Sequence, residues 1–369
     1  MAIKRVLQIL QDTDATDQHL AALELHHGLT RAGCEVRTLA LGPGKIGQLA
    51  QSVPVISPSH HSVAAYTQLR VEQRWADAFI LQGARVAEVA ALLPSTVPTA
   101  VSLWLEPSRW QAGKRPSRRL HRSIRRGSQL VVNNSAAQTA VDQVFNVHPD
   151  SSGTAERDTS SRRSEFGRPF WVHLIHTGVN TADLTSSAAL TDAQVAARRV
   201  AAKQALGLDP STLAIREIAP LAVPKKSAPR PKLVDLQQAA VSVGMSFIDS
   251  SPTADVTEEV LLAASDIVVS ESCENGPSVE LLRSMQAGAI AVTASSSAMT
   301  ELIEDHVTGL SFLADTSAGL SVIAALSEIS GDPSLRSELA RAGGKRVQAE
   351  YQLGVLQSCW LKTLNLALA

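Results

Sequence analysis

The sequence predicts an α/β protein with two doubly wound domains, each a parallel sheet covered by helices. Three observations support this prediction. The chain has 369 residues, too many for one ordinary hydrophobic core. It is 44% hydrophobic and 19% charged, a composition that allows two such cores. Short apolar runs alternate with segments of helical periodicity, which is typical of a parallel sheet with crossover helices.

The first half opens with a strand, a helix and a second strand. Residues 6–10 form an apolar run, and residues 19–32 carry leucines at helical spacing. Gly33 then ends the helix, and residues 35–41 form the second strand. Further strands of this half are predicted at 53–56, 78–81, 99–103, 130–133 and 173–175.

The second half repeats the same alternation, after a connection at 178–202. Its strands are predicted near 213–215 and at 245–248, 267–269, 289–292 and 310–312. Its helices are predicted at 232–240, 256–264, 279–287 and 318–327. We therefore place the first domain at 1–180 and the second at 181–350. A polar stretch of low complexity at about 150–168 predicts a mobile insertion in the first domain.

Charge and cysteine content exclude several classes of protein. A net charge of −1 argues against a nucleic-acid partner held by bulk electrostatics. The three cysteines are scattered, which favours a reducing compartment and gives neither a disulfide framework nor a metal site. The first residues favour a buried strand over a signal peptide, and no apolar stretch is long enough to span a bilayer. We expect a cytoplasmic protein.

The segment 264–292 carries the clearest candidate site. A strand ends at Ser270, a polar loop runs to Gly276, Pro277 suits the first position of a helix, and Gly288 suits its end. Free N–H groups and the positive end of a helix dipole would then lie at the carboxyl edge of a parallel sheet, where phosphates bind. The alternative is a plain βα turn, capped by the residue at 275 or 276.

At this point the sequence resembles a known family. The stretch 266–310 looks like the carboxyl-terminal signature of family-four retaining glycosyltransferases, which have the GT-B fold. Its most specific part is the run ELIEDHVTGL at 301–310. Weaker similarities occur at 131–135 and 175–180, and in the closing helical segments.

The resemblance implies two Rossmann-like domains that face a deep cleft. A nucleoside-diphosphate sugar would lie mainly on the second domain and an acceptor, whether glycan, lipid or small molecule, on the first. Sugar transfer would be retaining and would need neither a metal nor another cofactor. A helix at 351–369 would cross back to the first domain.

The resemblance also assigns roles position by position. The catalytic residues would be Glu274 and Lys226. The donor would contact Asn275, Gly276, Pro277, Ser278, Glu280 and Arg283. The acceptor side would carry Trp104, Ser135, Arg118 and Arg122.

Several positions depart from the family pattern. The first loop, 13–17, has two carboxylates and no glycine. Trp104 stands in place of a histidine, Pro220 in place of an arginine, and Arg283 in place of a glutamate that takes the ribose hydroxyls. Between 226 and 266 about one β–α unit is missing, so the second domain is predicted to be shortened. These departures favour the alternative of a catalytically inactive, glycosyltransferase-like binding or partner protein.

Other polar clusters give weaker indications. The segment 109–126 is densely basic, with Arg118 and Arg122 on one helical face and Leu120 turned away from it. It could attract an anionic acceptor or make peripheral contact with an anionic membrane, or it could be a solvated face. The histidine pairs at 26–27 and 60–61 lack further ligands at suitable spacing, so no metal site is predicted. Ser135 has no nucleophile motif around it and is interpreted as a strand-end serine.

Overall fold

The structure is a computed structural model. It describes residues 3–10, 17–41, 55–56, 62–90, 99–103, 118, 120, 122, 129–145, 148–149, 159–163, 169–179, 192–218, 235–249, 256–271, 276–313 and 318–366. The chain divides into two compact units. Unit 1 comprises Met1–Gly178 and Leu353–Ala369, and unit 2 comprises Val179–Gln352.

Strands are numbered in chain order through both units. Those of unit 1 are β1 (Arg5–Leu10), β2 (Glu35–Ala40), β3 (Val55–Ile56), β4 (Ala78–Gln82), β5 (Thr99–Leu103), β6 (Gln129–Val132), β7 (His148–Pro149), β8 (Thr159–Arg163) and β9 (Pro169–Leu174). Those of unit 2 are β10 (Ala214–Glu217), β11 (Ser246–Ile248), β12 (Ile267–Ser270), β13 (Ile290–Ala294) and β14 (Leu310–Phe312).

The helices follow the same order along the chain. They are α1 (Asp17–Arg31), α2 (Ser62–Gln73), α3 (Ala84–Ala90), α4 (Ser135–Phe145), α5 (Asp192–Ala205), α6 (Leu236–Ser242), α7 (Glu258–Ala264), α8 (Val279–Gln286), α9 (Ala318–Gly331), α10 (Pro333–Glu350) and α11 (Leu353–Leu366). None of these described helices is both long enough and apolar enough to cross a membrane.

The sheet of unit 1 has the order β3-β2-β1-β4-β5-β6-β9-β8-β7. From β3 to β9 all neighbouring strands are parallel. The strands before β4 are added on one side of β1 and the later strands on the other side, which makes the sheet doubly wound. Strand β4 is buried on both faces, since Ile80 lies in one core cluster and Phe79 and Leu81 lie in another. The α/β fold class predicted from the sequence is thus confirmed.

Helix α11 belongs to unit 1 although it follows unit 2 in the chain. Its residues Leu356, Trp360 and Leu364 lie in the same core cluster as Val6 of β1 and Ile80 of β4. The carboxyl-terminal helix therefore covers one face of the first sheet.

The polar stretch at 150–168 contains a strand where the composition predicts a mobile insertion. Residues Thr159–Arg163 form β8, which pairs antiparallel with β9 and, on its other side, with β7. The sequence of β8, TSSRR, has no apolar alternation, so the pattern could not indicate it. These five residues therefore belong to the sheet, and the rest of the stretch lies outside the described residues.

The sheet of unit 2 has the order β11-β10-β12-β13-β14 and is parallel throughout. All five predicted strands of this half are present. Helix α6 begins at Leu236 and not at 232, because the Asp235 carboxylate accepts a hydrogen bond from Gln238 N at 3.1 Å and caps the helix there.

A buried ion cluster anchors α5 to the start of β12. The Asp266 carboxylate lies 2.6 Å from Lys203 Nζ and 3.3 Å from an Arg199 guanidinium nitrogen. It also accepts a hydrogen bond from Ala214 N at 2.8 Å. The segment that the sequence presents as a connection therefore contributes a helix fixed to the amino edge of the sheet, opposite the edge that carries the candidate site.

Candidate functional site

The candidate site lies at the carboxyl edge of the unit 2 sheet, where β12 leads into α8. Strand β12 pairs with β10 on one side and β13 on the other. Four predicted residues, Glu274, Asn275, Lys226 and Trp104, lie outside the described residues. The remaining predicted residues can be located.

Helix α8 begins one residue after a serine cap. Gly276 is buried and has a φ of 83°, a left-handed conformation that favours glycine. Ser278 caps the helix, because its Oγ accepts a hydrogen bond from Leu281 N at 3.0 Å. The predictions that Pro277 occupies the first helical position and that residue 275 or 276 is the cap are therefore wrong. The prediction that Gly288 ends the helix is confirmed by its φ of 91°.

This helix start can bind an anion through its backbone. The first N–H groups of a helix have no partner within the helix, and Ser278 Oγ satisfies only that of Leu281. The positive end of the helix dipole adds to their attraction for negative charge. A phosphate at this edge would thus find both donors and a favourable field.

The Glu280 carboxylate points to a buried arginine of β10. Its Oε1 accepts a hydrogen bond from Arg216 Nη1 at 2.7 Å, and Arg216 Nη2 donates to Ser284 Oγ at 2.8 Å. The Arg216 side chain is only 1% exposed. Burial raises the pKa of Glu280, and the charge of Arg216 opposes that rise. The pair joins the first turn of α8 to strand β10.

Arg283 forms a second ion pair on the outer side of the helix. Its Nη1 lies 2.8 Å from Oε1 of Glu258, the first residue of α7. Burial lowers the pKa of Arg216, while Glu280 and Glu258 both act to raise it. Two arginines and two glutamates of the described residues thus belong to one network of charges.

Sequence reasoning missed Arg216, although a signal was present. An arginine that follows the apolar run LAI within a predicted buried strand must place its charge against a partner. A carboxylate in the first turn of α8, the helix that follows the neighbouring strand β12, supplies that partner.

The signature run 301–310 forms a tight turn before β14. Thr308 Oγ1 donates to Leu302 O at 2.9 Å and accepts from Glu304 N at 2.8 Å. A Cβ added to Gly309 would lie 2.7 Å from Ala291 O, so only glycine fits there. The threonine and the glycine of this run therefore serve the packing of the sheet.

His306 occupies a strained position in this turn. Its φ is 60°, although it is not glycine. Its ring lies 3.0 Å from an Asp305 oxygen and 3.1 Å from a Glu328 oxygen. Hydrogen bonding to Asp305 raises the pKa of His306.

In unit 1, Ser135 is the first residue of α4 and is exposed. Its interpretation as a strand-end serine is wrong, because β6 ends at Val132 and Asn134 Oδ1 accepts from Ala137 N at 2.7 Å, in the manner of a helix cap. Arg118 and Arg122 are both exposed and Leu120 is buried, the arrangement that their spacing predicts.

The first histidine pair has a structural environment. His26 is buried, and its Nδ1 lies 2.9 Å from Thr38 Oγ1. Burial, and then the neighbouring His27, lower the pKa of His26 to about 4. Within the described part of the chain no group of three or more His, Cys, Asp or Glu side chains could hold a metal. The pair at 60–61 lies outside the described residues.

Comparison with known proteins gives structural matches alone. No protein-family model and no curated protein sequence matches the chain. HepE of Anabaena, solved in complex with UDP-glucose, superposes with a TM-score of 0.70 at 15% identity, over 98% of this chain and 99% of that one. A glycosyltransferase from Rickettsia africae superposes with a TM-score of 0.65 at 11% identity, over 99% and 98%.

A third similar structure is sucrose-phosphate synthase from Thermosynechococcus elongatus, with a TM-score of 0.63 at 12% identity over 99% of both chains. At these identities the likeness concerns the fold, and it extends over nearly the whole of each chain. The protein therefore has the fold of the GT-B glycosyltransferases, as the signature at 266–310 predicts.

Proposed function

We propose that the chain is a glycosyltransferase that uses a nucleoside-diphosphate sugar and retains the configuration of the anomeric carbon, without a metal. The observation that carries the proposal is the start of α8. A left-handed glycine and a serine-capped helix present backbone N–H groups at the carboxyl edge of a parallel sheet. The GT-B fold, and the UDP-glucose in the HepE complex, support a sugar nucleotide as the anion.

In this proposal, different residues act on the diphosphate and on the transferred sugar. The bond between the anomeric carbon and the diphosphate oxygen breaks, the acceptor oxygen bonds to the same face of that carbon, and the acceptor's proton passes to the departing diphosphate oxygen. Negative charge develops on the diphosphate, where the N–H groups of α8 and the Lys226 ammonium would stabilise it. Glu274 and Asn275, in the loop before Gly276, would contact the transferred sugar.

The first experiment measures binding of UDP and UDP-glucose by calorimetry. We expect binding by the wild-type chain and its loss in Lys226→Ala. Lys225→Ala is the matched control, because it removes an equal charge from the adjacent position and should leave the affinity unchanged. Equal affinities of both variants and the wild type would remove Lys226 from the site, and no binding by the wild type would refute the donor proposal.

Retention is tested on the product. With a donor that is turned over, the anomeric proton of the product should show the same configuration as the donor by NMR. An inverted product would overturn this part of the proposal.

A specific observation favours the second candidate function, an inactive binding or partner protein. Arg283 stands where the signature has a glutamate, and it is paired with Glu258. The nearby Glu280 is paired with Arg216. If UDP-glucose binds but is neither hydrolysed nor transferred to any of a panel of glycans, lipids and small molecules, this second function replaces the first.

The exposed Arg118 and Arg122 support a further part of the proposal, peripheral contact of 109–126 with an anionic membrane. Wild-type protein should co-sediment with phosphatidylglycerol vesicles at low salt and less at high salt. The double change Arg118→Gln with Arg122→Gln should reduce the bound fraction. The same two-charge loss at the exposed Arg341 and Lys345 of α10 is the control, and an equal reduction by both would refute a specific contact.

A further inference from the structure

A small cavity in unit 1 lies at the carboxyl ends of four neighbouring strands. Gln82 ends β4, Ser102 lies near the end of β5, Asn133 follows β6, and residues 175–178 follow β9. The other walls come from α1 and α11. Its volume is about 30 Å³. This edge is where parallel sheets present ligand sites, and neither the donor site nor the signature run includes it.

Two buried oxygen atoms in the lining lack hydrogen-bond partners. Gln82 is 2% exposed and Thr177 is 4% exposed. Among the described residues, neither Gln82 Oε1 nor Thr177 Oγ1 has a partner. A buried oxygen left unpaired destabilises the fold, so each atom needs a hydrogen-bond partner beyond the described residues: Gln82 Oε1 needs a donor, and the Thr177 hydroxyl needs a donor or an acceptor.

The rest of the lining indicates the chemistry of the occupant. Ser102 and Asn133 are neutral, and His176 donates from Nδ1 to the Asn133 carbonyl oxygen at 3.2 Å, because that oxygen can only accept. Among the described lining residues none carries a fixed charge. Leu25 and Trp360 form an apolar wall. The cavity therefore suits a neutral group with both an apolar and a hydroxyl part.

We propose that this cavity binds the hydroxymethyl group of a sugar. A single water needs roughly 10–15 Å³ of such space, so the cavity has room for two non-hydrogen atoms, the carbon and oxygen of CH₂OH. The hydroxyl hydrogen would bond Gln82 Oε1, and the hydroxyl oxygen would accept from Thr177. The carbon would lie against the apolar wall. The role of this sugar as the acceptor rests on the proposed function. The binding of the sugar to the cavity does not depend on that function.

The test compares two sugars that differ only in this group. Methyl α-glucoside carries the hydroxymethyl group and methyl α-xyloside has hydrogen in its place. Binding to the full chain, without nucleotide, is measured by saturation-transfer NMR. We expect the glucoside to bind at least about fivefold more tightly than the xyloside, and its C6 protons to receive the strongest transfer. Equal affinities, no binding of either sugar, or the strongest transfer elsewhere would overturn the proposal and leave only water in the cavity.

Variants locate the binding in this cavity. Thr177→Val keeps the side-chain shape, removes the hydroxyl and should reduce glucoside affinity by about fivefold or more, and Thr177→Ser should restore it. Gln82→Leu should act like Thr177→Val. Thr293→Val in unit 2 is the control, since that threonine is 1% exposed and its Oγ1 also lacks a partner among the described residues. Unchanged affinity in Thr177→Val and Gln82→Leu, or an equal loss in Thr293→Val, would refute the assignment.

Failure of this test is distinct from failure of the donor proposal. UDP binding to unit 2 is measured separately, so a chain that binds UDP but not the glucoside refutes only the cavity. A chain that binds the glucoside but not UDP refutes only the donor site.

Discussion

Replacing Glu280 by leucine removes the carboxylate that faces a buried guanidinium. The Arg216 side chain is 1% exposed and lies 2.7 Å from Glu280 Oε1. An arginine does not lose its proton in a protein, so Arg216 would stay charged in the sheet, and of its described partners Ser284 Oγ and the more distant Glu258 would remain. Breaking a buried pair from one side costs about 3–5 kcal/mol, and because Glu280 is 22% exposed we expect about 3 kcal/mol for Glu280→Leu.

Urea denaturation of the single and double variants measures this coupling. Arg216→Met should cost a similar amount, since it leaves a carboxylate without its partner. The double variant, Arg216→Met with Glu280→Leu, places apolar groups on both sides and should be close to the wild type in its free energy of unfolding. Single variants within about 0.5 kcal/mol of the wild type would refute the reasoning, because that range is typical of surface substitutions.

The double variant also shows whether Glu280 only stabilises α8 or also contacts the donor. If Glu280 serves α8 through Arg216 alone, the stable double variant should bind UDP and UDP-glucose within about twofold of the wild type. A large loss of affinity in a folded double variant would instead show that the carboxylate contacts the donor, as the signature predicts.

Backbone conformation and titration lead to three further predictions. Gly276→Ala and Gly288→Ala should each cost about 1–2 kcal/mol, because both glycines have positive φ, but only Gly276→Ala should also weaken UDP binding in calorimetry. For His306, whose pKa is raised, the stability lost in His306→Gln should be largest below pH 6.5 and should vanish as pH rises through the raised pKa, in urea denaturation across that range. For His26, with a pKa of about 4 against 6.5 unfolded, the wild type should lose about 3 kcal/mol more than His26→Gln between pH 7 and pH 4. Equal acid sensitivity of wild type and His26→Gln would contradict the burial of a neutral ring.

Apolar periodicity predicted the elements whose burial follows from the local sequence. Strand β4, with sequence AFILQ, is buried on both faces and could be recognised by its apolar run alone. Strand β8 could not, because its sequence TSSRR has no apolar alternation, although it pairs with β9, which begins shortly after it in the chain. Most of helix α5 lies in the segment 178–202, which the sequence presents as a connection, because the ion cluster that holds the helix depends on Asp266, far along the chain.

The position of the candidate site could be predicted from the sequence, but the ion pairs of its side chains could not. The glycine and the short helix after β12 follow from local backbone preferences, so the edge that carries the site could be named from residues 264–292. The sequence could not show which carboxylate would face a ligand, because Glu280 is paired with Arg216 of a strand 64 positions earlier in the chain. The cavity near Thr177 could not be predicted from the sequence for the same reason, because its lining residues come from the ends of four strands and from two helices.

The two ion pairs of α8 differ in what they can do for a ligand. Arg216 is buried, so a ligand that drew Glu280 away from it would leave an uncompensated charge in the sheet. Arg283 is 27% exposed and Glu258 52%, and such a surface pair contributes at most about 1 kcal/mol. Loss of its pairing with Glu258 would therefore cost Arg283 little stability, whereas loss of Glu280 would cost Arg216 much more.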